Sequence, residues 1–189
     1  MCEFDWGTFW NAVGALATFF AAVVALILPQ RMEKRAQARL DAERDRNRIS
    51  AIIEILSAVE QALDQYFRLR SLIEQDDPNP HHARAISIAA TNTKLVLGVI
   101  CRRPELTDGA VTAGVAAERL ASNVEVIGQQ ASGAVSAMAV AASELGRVHG
   151  IALSAYEQGK AVAEFHHIND RAKGFAGFDK RFEDLRHLP

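Results

Sequence analysis

The sequence predicts an all-α protein: one N-terminal transmembrane helix continues through a charged neck into a cytoplasmic four-helix bundle. Three observations predict it. No residue from Trp6 to Gln30 is charged. Beyond the charged stretch that follows, apolar residues recur at intervals of three and four, the helical period. No segment of useful length alternates apolar and polar residues as a half-buried strand does. The chain has 189 residues, enough for one compact domain and an anchor. Its net charge of −2 sets up no global field for nucleic acid. The five prolines fall mostly between apolar segments, as long helices require. Cys2 and Cys101 stand at a distance that suits neither a disulfide framework nor a metal site. No cofactor or metal is expected.

Residues 1–30 read as the anchor. The uncharged run is bounded by Asp5 and Arg31. About 20 helical residues cross the roughly 30 Å hydrocarbon layer, so this run spans it with some tilt. A lone span must satisfy its own backbone hydrogen bonds, which makes it a helix. A cleavable signal peptide would need a positive leading segment, whereas Glu3 and Asp5 stand there. Arg31, Lys34, Arg35 and Arg39 follow the run, so the positive-inside rule places the N-terminus outside and the rest in the cytoplasm. Trp6 and Trp10 suit the outer interfacial belt. Arg31, Lys34 and Arg35 suit the inner interface, with Arg31 and Lys34 able to reach lipid headgroups. Small and polar residues recur within the span: Gly7, Asn11, Gly14, Thr18, Ala22 and Ala25. Small residues let helices approach closely, and Asn or Thr can bond across them. The expectation is self-association, with Asn11 and Thr18 turned toward a narrow pore. Alanine and glycine are also common in membrane helices that do not associate.

Residues 31–48 form the neck, with seven basic and four acidic side chains. The mixture reads as a solvated helix rather than a nucleic-acid surface. Residues 49–170 form the bundle. Its first stripe runs through Ile49, Ile52, Ile53, Leu56, Val59, Leu63, Tyr66 and Phe67, and ends at the Asp76–Pro80 loop. Pro29 is expected to kink the long helix or to open a new one. The second helix, from about His82 to Cys101, is apolar on most faces and is expected at the centre. Thr107-Asp108 marks a third helix start, and Gly128–Gly133 reads as a turn, with a continuous helix as the alternative. The fourth helix, from Val135 to about Asn169, repeats small residues at nearly seven-residue spacing. Residues 171–189 are a phenylalanine-containing tail that docks as a short helix or binds a partner.

No phosphate loop, nucleophile elbow or zinc-ligand spacing is present in the sequence. The pairs His81-His82 and His166-His167 point to different helix faces and do not chelate by themselves. Arg181 and His187 are separated by five residues. That spacing resembles the R-x(4–6)-H motif of HEPN-type helical ribonuclease domains. With a single N-terminal span ahead of a small helical domain, the chain resembles membrane accessory proteins of RNA-targeting CRISPR antiviral systems. The resemblance implies a bacterial inner membrane, assembly as a homo-oligomeric ring, and pore formation or membrane perturbation in antiviral defence. It also implies Arg181 and His187 as weak candidates for RNA cleavage, an activity the rest of the sequence does not call for. The expected partners are the lipid bilayer, further copies of the chain, and a cytoplasmic protein or ribonucleoprotein. The alternative reading is a membrane-tethered interaction module or scaffold.

Overall fold

The computed structural model describes residues 6–75, 80–133, 135–168, 182 and 185. Among them the regular structure is helical, with four α-helices and no strand. They are α1 (Trp6–Glu74), α2 (Pro80–Ile100), α3 (Asp108–Ala131) and α4 (Val135–Phe165). The chain divides into two compact units, Met1–Arg46 and Asn47–Pro189.

In the first unit α1 runs through Pro29 without ending. The proline therefore neither opens a new helix nor stops the first. Its missing N–H leaves one carbonyl a turn earlier without its usual partner, a loss that neighbouring helical bonds tolerate. The charged stretch behind it is exposed throughout. Its Asp41–Arg44 pair, 3.8 Å apart, is a solvated contact of little energetic weight.

In the second unit the remainder of α1 buries Ile52, Ile55, Leu56, Val59, Leu63, Tyr66 and Leu69 completely. Glu54, Gln61 and Arg68, seven residues apart, face solvent. The stripe is what the three-and-four spacing predicts. Each large side chain so buried contributes about 1.5–3 kcal/mol.

The helix that approaches two others closely is α3, not α2: its backbone runs near both α2 and α4 along its length. Its buried positions are mostly small: Ala110, Ala113, Gly114, Ala117, Ala121, Gly128 and Ala131. At Gly128 a Cβ atom would meet the Ala83 carbonyl and Ser87 at 3.1 Å, so α2 and α3 cross there on a glycine. That contact gives Gly128 a reason to sit within the helix, the alternative to a turn there. The turn comes later, at Ser132-Gly133. Thr107 caps α3 as expected, its hydroxyl accepting from the Ala110 N–H.

α2 buries one stripe: Ala83, Ser87, Ala90, Thr93, Leu97 and Ile100. Ile86 packs partly against the core, while Ile88, Leu95 and Val99 face out at 56%, 62% and 68% exposure. The expectation of a central α2 thus fails, because apolar content on several faces does not say which faces are covered. α4 ends at Phe165, four residues before the expected Asn169. The chain leaves it through His167, whose φ of 49° is left-handed and closes the helix in the manner of a C-terminal cap. Phe182 and Leu185, in the tail, are fully buried in the core, and the Phe182 ring lies 5.5 Å from that of Phe67.

Candidate functional site

The apolar segment of α1 is the first candidate. Mean hydropathy reaches 2.0 over an 18-residue window, and none of that window is buried within the protein. It is long and apolar enough to cross a membrane. α2 also reaches a mean hydropathy of 1.2, but a third of its window is buried, which the core already explains. At 3.6 residues per turn, Gly7, Asn11, Gly14, Thr18, Ala22 and Ala25 fall within about 80° of one another. Leu16, Phe20, Val24 and Ile27 occupy the opposite side. All of these residues are exposed in the single chain. The Thr18 hydroxyl donates to the Gly14 carbonyl at 2.8 Å, so its proton is already used within the helix. A Cβ at Gly14 would meet nothing within 4 Å. Packing inside the chain therefore gives no reason for a glycine there, although it weakens a helix by about 1 kcal/mol relative to alanine. Trp10, Arg31, Lys34 and Arg35 are likewise exposed, at the two ends of the run.

The second unit carries polar groups inside its core. Tyr66, Arg70 and Glu74 rise one turn apart on α1. The Tyr66 hydroxyl lies 3.2 Å from Nδ1 of His149 on α4, and Arg70 also hydrogen-bonds it. Arg70 in turn pairs with Glu74. Burial pushes the Tyr66 phenol up, so it stays protonated and serves as a neutral link between α1 and α4. Gln65 donates to Thr93 at 2.8 Å and joins α1 to α2. Ser87 donates to the Glu125 carbonyl at 3.0 Å, and Lys94 reaches the Glu125 carboxylate at 2.6 Å. The bond from Lys94 lowers the Glu125 pKa. These are ties between helices. Their partners lie 28 to 83 residues apart, so no local motif announces them.

Several clefts open on this unit, two of them notable. One, of about 730 Å³, lies where α1 ends and α2 begins, lined by Phe67, Ser71, Leu72, His82 and Ile86 among others. The other, of about 630 Å³, lies where α3 begins and α4 ends. Burial, and the nearby Glu118 charge, raise the Cys101 thiol, which keeps it in its unreactive form. Cys101 is a free thiol. Its sulfur faces Gly114, where a Cβ would collide with it.

No group of three or more His, Cys, Asp and Glu side chains placed to hold a metal occurs among the described residues. His81 and His82 begin α2, and His166 and His167 follow α4. His166 Nε2 lies 3.5 Å from the Thr107 hydroxyl, a contact between the α4 end and the α3 cap. Arg181 and His187 lie outside the described residues, as does Cys2. No protein-family model, no curated protein and no solved structure matches the chain.

Proposed function

We propose that this is a single-pass inner-membrane protein whose copies associate through the small-residue face of residues 7–25. In this reading the four helices beyond the neck form a cytoplasmic four-helix bundle, and the assembly acts as a pore-forming or membrane-perturbing effector. The observation that carries the proposal is the uncovered apolar run. Leu16, Phe19, Phe20, Val24, Leu26, Ile27 and Leu28 are all exposed, a patch that water does not tolerate and lipid does. The sorting of small residues to one side and bulky ones to the other supports helix–helix contact. The resemblance to CRISPR-associated membrane proteins supports antiviral defence as the setting. Closed cyclic homo-oligomers, the commonest kind of assembly, favour a ring.

Vesicle flotation followed by crosslinking of the detergent-solubilised protein tests both halves. The protein floats with vesicles, and a Gly14→Leu variant floats equally well but crosslinks less. A wild-type chain that is strictly monomeric in detergent removes the oligomer. A chain that stays at the bottom of the gradient removes the anchor.

The exposed stripe Ile88, Leu95 and Val99 on α2 favours a second reading, a tethered interaction module. Phe182 and Leu185 are used in the core, so such a module would offer α2 rather than those two tail residues to its partner. A ribonuclease built on Arg181 and His187 would require that His187→Ala abolish RNA cleavage.

A further inference from the structure

The cleft between the start of α3 and the end of α4 has a lining that the membrane reading does not use. Its walls are mostly apolar, with Val162 within and Phe165, 76% exposed, at the rim. Two opposite charges also border it, Arg48 and Asp108. Among the described residues neither side chain has an ion-pair partner, and they do not pair with each other. Gln158 is the third polar feature. Its Nε2 donates to Ser154, while its Oε1 is buried without a hydrogen-bond partner. Exchanging the two amide positions only moves the unmet need to the nitrogen.

We propose that this cleft binds a zwitterionic amphiphile. A hydrocarbon chain lies against Val162 and Phe165, an anionic group meets Arg48, and an ammonium group meets Asp108. The charge balance of the rim selects the zwitterion. A purely anionic head would face Asp108 uncompensated, and a purely cationic one would face Arg48. The apolar walls supply most of the affinity, as in ligand clefts generally, and the few polar groups set the choice of head.

The test uses the full-length protein in maltoside micelles, with native mass spectrometry and calorimetric titration as readouts. The probes are dihexanoyl glycerophosphoethanolamine, its glycerophosphoglycerol counterpart, and phosphoethanolamine without chains. The zwitterionic amphiphile is expected to bind saturably, one per chain, and roughly fivefold more tightly than the anionic one, the scale of a partly exposed ion pair. The chain-free head is expected not to bind measurably. Asp108→Asn, an exposed change that leaves the core intact, is expected to bring the two amphiphiles within roughly twofold of each other. Val162→Trp, which fills the cleft, is expected to remove binding. The proposal is overturned by an absence of saturable binding, by equal affinity for the two amphiphiles in the unaltered protein, or by selectivity that Asp108→Asn leaves unchanged. Binding of the chain-free head as tightly as the amphiphile also overturns it.

Discussion

Both ends of α1 are rich in apolar residues, and they use them in opposite ways. From Ile52 to Leu69 these residues form a stripe that is fully buried, with Glu54, Gln61 and Arg68 outside. From Val13 to Leu28 they cover nearly every side, and the protein covers almost none of them. Hydrophobicity alone does not separate the two. What separates them is angular distribution: a stripe asks for one packed neighbour, and a full circumference asks for cover on every side, whether protein or membrane.

The comparison can be broken at either end. The largest effect is expected from Phe182→Ala, which removes the ring packed on Phe67 from the core half. It should destabilise the helical unit by about 3–5 kcal/mol in chemical denaturation and leave flotation with vesicles untouched. A loss of flotation would mean that the two regions are not independent. Val24→Arg should do the reverse. An arginine at the centre of a span costs about 2.5–3.5 kcal/mol in insertion, so membrane retention falls while the unfolding midpoint of the helical unit stays put. An unchanged membrane fraction would place the segment in water.

Two smaller effects sharpen the core side. Gly114→Ala drives a methyl into the Cys101 sulfur and should cost about 1–3 kcal/mol, recovered in large part by Cys101→Ala. Absence of recovery would put the strain elsewhere. The Lys94–Glu125 pair gives the weakest signal, about 1 kcal/mol or less for a partly exposed pair. The Lys94 bond depresses the Glu125 pKa, so the contribution is present above the ordinary glutamate range and is lost as pH falls through the lowered value. Lys94→Met should therefore remove that small contribution at neutral pH, change nothing once Glu125 is protonated, and so flatten the acid limb of the stability curve. An acid limb of unchanged slope would sever the pair from stability.

Local signals carried much of the fold. The α1 stripe and its end, the start of α3 at Thr107 and the span of α2 were legible, because periodicity and capping are properties of neighbouring residues. The centre of the helical unit was not. α2 looked central from its apolar content, whereas α3 is the helix that approaches two others closely, through alanine and glycine, whose role lies in how close another backbone can come. Turn and continuous helix stayed open at Gly128 for the same reason: its partner, Ser87, is far away in the chain. The Tyr66–His149 link and the cleft beside Arg48 and Asp108 join residues from distant helices, and no spacing rule reaches that far. Within the apolar segment the small-residue face was legible by residue type, and the helix adds that its members share one side.

The small side chains of α3 have one more consequence. Alanine and glycine have no side-chain rotamers to surrender when they are packed, whereas a leucine or isoleucine gives up about 0.5–1 kcal/mol of freedom. The middle of the unit is therefore assembled at little entropic cost in side chains, and its order rests on backbone proximity. A helix held in that way has few alternative arrangements of similar energy, so slow amide exchange with solvent should concentrate in α3, although it buries only three large side chains of its own, Leu120, Val124 and Ile127.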